Sequence, residues 1–192
     1  MTKQEIKWFD ELHDKRTKQS EFLRDPEFVN VFNDAIDKYS ESAHFLYELF
    51  QNADDAGATK ADLILEKDKL IFKHNGNVRF SVSNPNISAE EARLKGEYGH
   101  INSITAIGFS TKNKNTGEGN KIGKFGVGFM AIFQYTDSPY IYDYNIDFRL
   151  DKVIVPTLLT DKKYSENGKT VFVLPFNNSK VSAEKCYKVL LS

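Results

Sequence analysis

Residues 122–133 read IGKFGVGFMAIF, three glycines set among bulky apolar residues, and the last seven have the apolar density of a helix that must be buried. Glycines at the start of such a helix leave its first backbone N–H groups uncovered by any Cβ. The fold therefore has to bury the helix and leave its N-terminal end approachable, and an end of that kind attracts anions, with the helix dipole behind it. A flexible turn before a core helix explains Gly-x-Gly equally well when it stands alone, so the other segments decide.

The chain has 192 residues, enough for one domain with a real core, and it is read as a single domain over 1–192. With 40% hydrophobic residues, 15 Phe and 9 Tyr, a disordered or collagen-like chain is excluded. Lys and Arg total 26 against 27 Asp and Glu, a net charge of -1, so nothing draws the whole domain to nucleic acid or to an anionic membrane, and any anion site is local. The one cysteine, Cys186, excludes an intramolecular disulfide and a thiolate metal cluster. The charged N-terminus and the lack of a long apolar run lead to the expectation of a soluble, cytoplasmic protein.

Ile6, Phe9 and Leu12 sit at helical spacing, and a second helix is expected from Pro26 to Tyr39; together these form an N-terminal helical extension over 1–40. SAHFLYELFQNADDAGA, residues 42–58, reads as a further helix with Ser42 as N-cap and Gly57 as stop. Leu46, Leu49, Phe50 and Ala53 form its expected core stripe, with Glu48, Asn52 and Asp55 on a narrow opposite stripe. Residues 61–76 predict a hairpin turning near Lys67–Lys69. Residues 77–121, rich in Gly, Asn, Ser, Thr and Lys, predict one or two short helices in a functional lid. YIYDYN, FRLDKVIVPTL and KTVFVLPF predict strands, and VSAEKCYKVLL a terminal helix. The expected fold is an α/β two-layer sandwich, a mixed, mostly antiparallel sheet covered on one face by helices.

The glycine stretch is not a P-loop, since Glu118 stands where the first glycine belongs and Phe125 replaces the magnesium-binding Ser or Thr. GVGFMA satisfies a loose dinucleotide pattern, but no strand precedes it. On the polar helix, the carboxamide oxygen of Asn52 suits Mg²⁺ that shares its coordination with phosphate and water. One turn earlier, Glu48 can deprotonate a water for attack on a terminal phosphate.

ELFQNADDAGA resembles the N-box, HNGNVRF the first glycine motif and IGKFGVGF the second glycine motif of the GHKL ATPases. NADDAGA together with GFSTK most resembles the sacsin-type branch, near the heat-shock chaperones. The likeness covers residues 40–176 and implies the Bergerat fold. It also implies that Glu48 activates water and Asn52 binds Mg²⁺, that Asp55 and Ala56 line an ATP pocket, and that Gly123, Gly126 and Gly128, with Lys124, Phe125, Val127 and Phe129 between them, cradle the phosphates. Lys112 would reach a phosphate from the lid, and Thr170 would stand beside the adenine, one residue out of the family register. The family's first glycine motif begins with an aspartate that accepts an adenine amino proton; here His74 takes its place, followed by Asn75 and Gly76. An imidazole nitrogen, the Asn75 amide oxygen or a bridging water would each serve as acceptor.

The expected function is a Mg²⁺-dependent ATP-binding and slowly hydrolysing domain. It would act as a conformational or dimerisation switch, with ATP-dependent homodimers and downstream domains as partners, in a larger chaperone-like or prokaryotic defence protein. Because the chain ends soon after its last strand, low turnover by the domain alone is also expected. The alternatives are a nucleotide sensor that does not hydrolyse and, with less support, a histidine kinase domain; kinases of this superfamily carry Asn where Glu48 stands.

Overall fold

The computed structural model describes residues 1–22, 44–106 and 127–191. The expected helix over 26–39, the Ser42 cap, Lys112, residues 107–121 of the expected lid, and Gly123, Lys124, Phe125 and Gly126 lie outside the described residues.

Helix α1, Lys3–Phe22, opens on a reciprocal pair: Glu5 N–H donates to Thr2 Oγ1 at 3.2 Å and Thr2 N–H donates to Glu5 Oε2 at 2.7 Å, which satisfies N-terminal donors that the helix leaves unpaired. Its buried residues Phe9 and Leu12 pack it beside strand β5, Val155–Leu158, where the His13 Nδ1 atom meets the Pro156 carbonyl oxygen at 2.8 Å.

Helix α2, His44–Asp55, ends as its sequence demands. Gly57 has φ +72°, and the N–H groups of Ala58 and Gly57 donate to the carbonyls of Ala53 (2.9 Å) and Asp54 (2.8 Å), a Schellman closure that favours glycine at the left-handed position. The buried stripe is Phe45, Leu49, Ala53 and Ala56, rotated from the expected one. Phe50 is corrected to a boundary position, 44% exposed, with its ring edge-on to Phe72 at 5.0 Å. Glu48 and Asn52 are half-buried and flank the core stripe where the opposite side was expected. Each lies one residue or one turn from a core position, so the rotated stripe pulls them under the fold's edge.

The six strands are β1 Ala61–Leu65, β2 Lys69–His74, β3 Tyr140–Tyr142, β4 Phe148–Asp151, β5 and β6 Thr170–Pro175, in the order β1-β2-β6-β3-β4-β5. Every neighbouring pair is antiparallel, which corrects the expected mixed sheet. The helical connection from β2 to β3 does join two like-directed strands, but β6 inserts between them and turns one parallel contact into two antiparallel ones. FRLDKVIVPTL folds into two strands rather than one, turning at Lys152 (φ 48°) and Val153 (φ 73°).

One sheet face carries Leu70, Phe72, Phe148, Leu150, Phe172 and Leu174 into a cluster with Phe9, Phe45 and Leu49. The other carries Ile71, Tyr142, Val171 and Val173 under Leu159 and Tyr164 of the β5–β6 connection, so β6 is buried on both sides, as its unbroken apolar run permits. Helices α3, Ala89–Leu94, and α4, His100–Ile104, lie within the expected lid segment, and Val82, Ala92, Ile101 and Ile104 there are buried. The glycine-led helix α5 covers Val127–Met130 and passes into a 3-10 turn, Ala131–Gln134. Phe129, Ala131, Ile132 and Phe133 are buried as expected. Helix α6, Ala183–Leu191, closes the chain and buries Cys186. Among the described residues no helix is long and apolar enough to cross a membrane.

Candidate functional site

The register of the central strands builds the site. His74 is the cross-strand partner of Thr170, and Tyr142 pairs with Val171, so one residue further on Asp143 stands beside Thr170. Three adjacent strands thereby bring His74, Thr170 and Asp143 to one end of the sheet, below the C-terminal half of α2.

A cavity of about 90 Å³ opens there. Asn52 and Asp55 line it from α2 and Ala56 from the turn just after it, and His74, Thr170 and Phe172 line it from the sheet, with Arg79 and His100 at its side. The volume is several times what one ordered water requires.

Asp143 stands behind Thr170 in the cavity wall. Its side chain is wholly buried and lies 3.5 Å from the Arg79 guanidinium. It accepts the Thr170 hydroxyl proton at 2.7 Å and the Phe80 N–H at 2.9 Å. The Asp143 N–H donates to Asp147 Oδ1 at 2.9 Å, and Asp147 in turn accepts from Lys162 and Ser165. This buried charge is therefore paired and hydrogen-bonded on every side, the condition under which a carboxylate tolerates burial.

His74 is 5% exposed and lies nearly parallel to the Phe172 ring, 6.4 Å between centroids. Burial pushes its pKa below the ordinary imidazole value, the nearby Asp143 opposing and Arg79 reinforcing the shift. The Gly76 N–H donates to His74 Nδ1 at 3.1 Å, and the other ring nitrogen has no partner among the described residues. Gly76 is confined: a Cβ there would sit 2.7 Å from Ala56 Cβ and 2.9 Å from His74 Nδ1.

Asn52 provides the other unpaired group. Its Nδ2 is buried with no hydrogen-bond partner among the described residues, a costly state unless something else fills the cavity. The carboxamide oxygen on the same group can ligate a hard cation. No cluster of three or more His, Cys, Asp or Glu suited to a metal occurs among the described residues. A magnesium ion would therefore take one ligand from Asn52 and the others from phosphate and water, a donor set that this ion accepts.

Of the residues singled out from sequence, Asn52, Asp55, Ala56, His74 and Thr170 line this one cavity. Glu48 is half-buried one helical turn before Asn52. Phe129 is a core residue, 1% exposed with its ring 6.3 Å from Phe172, and Val127 and Gly128 belong to α5. Asn75 is corrected as an acceptor for a base. Its Oδ1 takes the N–H groups of Thr59 (3.0 Å) and Lys60 (2.9 Å), and its Nδ2 donates to Thr59 Oγ1, because the turn after α2 needs those donors satisfied. Arg79, His100 and Asp143 escaped the sequence reading. Arg79 lies inside the motif HNGNVRF, but His100 reaches the cavity only through a helix start, and Asp143 comes to stand behind Thr170 only through strand register.

The family model described as "Sacsin domain" matches residues 25–150. The chain is 30% identical over 125 residues to Sacsin of Homo sapiens, covering 62% of this chain and 2% of that protein. It is 30% identical over 118 residues to Protein NO VEIN of Arabidopsis thaliana, covering 59% and 4%. It is also 30% identical over 113 residues to Chaperone protein HtpG of Chlorobium luteolum, covering 52% and 18%. The chain thus spans a small fraction of each relative's length.

Proposed function

Since the chain belongs to the sacsin domain family, with a more distant similarity to a chaperone, we propose that it is a nucleotide-binding domain of the GHKL type. In this reading it takes a magnesium–nucleoside triphosphate, ATP by family resemblance, into the cavity beneath α2. The observation that carries the proposal is Asn52, whose buried amide nitrogen has no partner among the described residues although the residue lines a cavity shared with His74 and Thr170.

Asn52 holds the magnesium ion through its carboxamide oxygen, and the ion supplies charge neutralisation on the phosphates. Phe172 and Phe80 form an apolar floor for a planar base. Glu48, a turn away and half-buried, accepts a proton from the attacking water. Hydrolysis of this kind is slow where a phosphate-contacting cation comes from another domain, and the domain then works as a nucleotide-driven switch in a larger protein, whether by conformation or by dimerisation. Glu48→Ala separates this from a sensor that only binds: a hydrolase keeps binding and loses turnover.

The direct test is thermal unfolding with and without Mg²⁺-ATP, beside Asn52→Ala. At 100 times the dissociation constant, binding contributes about 2.7 kcal/mol, a rise in midpoint of roughly 5–10 °C for a domain of this size. A magnesium-dependent rise, absent in Asn52→Ala, is expected. No rise with any purine triphosphate would defeat the reading.

A further inference from the structure

A second cavity, of about 200 Å³, lies between α1 and the segment that carries α3 and α4. It shares no lining residue with the cavity beneath α2: His100 at the start of α4 lines that one, and Asn102, on the same short helix, lines this one.

The charge of this second cavity has one sign. Lys15 and Arg16 of α1 both line it, and among the described residues no Asp or Glu does. Arg16 is half-buried, and its guanidinium donates to neutral oxygens: Nε to Thr105 Oγ1 at 3.2 Å, Nη1 to Gln19 Oε1 at 2.6 Å and Nη2 to the Asn102 carbonyl at 3.2 Å. Burial pushes its pKa below the ordinary guanidinium value, with Tyr98 opposing. A guanidinium has more N–H groups than these contacts use, and a cation withdrawn from water is ordinarily matched by an anion, which stabilises it more than neutral acceptors do.

The rest of the wall adds to this pattern. Lys15 donates to the carbonyl of Pro85, which also lines the cavity, so a second positive charge stands at the same wall. Asn84 accepts the Asn86 N–H on its Oδ1 at 2.9 Å, and its Nδ2 donors have no partner among the described residues. Leu12, Ile87 and Ala92 make the remaining surface apolar. Two cations, a spare amide donor and an apolar wall suit an anion of more than one charge carried on a small apolar body. The planar fork of arginine takes two oxygens of a phosphoryl group together, and lysine adds a point charge. A phosphomonoester carries a charge of about −2 at neutral pH and so matches both cations, as a carboxylate with its single charge does not. We propose that the cavity between α1 and helices α3 and α4 is a binding site for a small phosphomonoester, held by Arg16 and Lys15. The site is independent of what the cavity beneath α2 takes.

Phenyl phosphate is the probe, titrated into the isotope-labelled chain at neutral pH and followed by heteronuclear NMR. The Arg16 Nε–H signal and the amide signals of residues 84–106 should shift saturably, while those of His74 and Thr170 stay in place. Arg16→Gln should raise the dissociation constant about tenfold or more, the size of one lost charge-assisted contact. Lys15 is exposed, so Lys15→Gln keeps the fold and should also weaken binding, which keeps the test decisive if the Arg16 variant is unstable. Benzoate, the same ring with a single charge, should bind more weakly than phenyl phosphate. No saturable shift, shifts centred on His74 and Thr170, or an unchanged constant in Lys15→Gln overturns the site. Benzoate binding as tightly as phenyl phosphate overturns the phosphate assignment.

Discussion

Thr170 donates its hydroxyl proton at 2.7 Å to Asp143, a carboxylate whose side chain has no solvent exposure, and this one bond links the structural charge of the domain to the wall of its cavity. Asp143 also receives the Phe80 N–H. Removal of the carboxylate strands a hydroxyl and an amide together with the Arg79 guanidinium.

Asp143→Ala is therefore expected to lower stability by about 2–4 kcal/mol, since it leaves buried donors unpaired and one charge uncompensated. Asp143→Asn, which keeps one acceptor oxygen, should cost less than the alanine variant. Urea unfolding monitored by circular dichroism measures both. A loss under about 1 kcal/mol for Asp143→Ala would show that the network is not coupled to the fold in this way.

Asn52→Ala should separate stability from ligand binding. The Asn52 amide nitrogen is buried without a partner among the described residues, and alanine is the better helix former. The variant without ligand is expected to match the parent or exceed it by up to about 1–2 kcal/mol, while its response to Mg²⁺-nucleotide disappears. A variant that unfolds well below the parent would mean that Asn52 has a structural task in the fold.

The buried histidines make stability depend on pH. Burial lowers the pKa of both His74 and His100, with Asp143 opposing the shift in each case. In the unfolded chain these rings protonate near pH 6.5. Their contribution is complete above that pH and is lost as the pH falls toward the folded values, because the unfolded chain then binds protons that the native state refuses. Stability should decline between pH 7 and pH 5 by up to about 1.4 kcal/mol per pH unit for each histidine. His100→Gln should flatten the slope; an unchanged slope would assign the effect elsewhere.

Gly76→Ala tests the close approach of helix and strand. The new methyl would lie 2.7 Å from Ala56 Cβ and 3.0 Å from the Ala56 carbonyl oxygen, contacts with a helix end that is itself held by the Schellman closure. A loss of about 1–3 kcal/mol is expected from such overpacking, with His74 displaced from the Gly76 N–H and its NMR ring signals shifted. Unchanged stability would mean that the α2 C-terminus yields readily.

Much of this domain was legible from local patterns. The hairpin of β1 and β2, the stop at Gly57, the buried residues after the glycine stretch and the terminal helix follow from periodicity and punctuation, which act over a few residues. The polar residues of α2 were legible too, and Asn52, Asp55 and Ala56 do meet His74 and Thr170 at one cavity. The rotation of the α2 core stripe was not legible. At a boundary position Phe50 can satisfy its ring against Phe72 while remaining 44% exposed, and helical periodicity does not say which edge faces the sheet.

By itself the sequence determined the residue types on each element and their order, and so the family, the helix-then-hairpin start and the histidine that replaces an aspartate. Only the tertiary structure decided what surrounds that histidine. Insertion of β6 between β2 and β3 set His74 against Thr170 and Thr170 beside Asp143, and the Gly76 N–H engaged His74 Nδ1. Residues 74, 143 and 170 are far apart in the chain. Their pairing depends on strand register, which is a property of the whole sheet and its buried faces and is written in no local stretch of sequence.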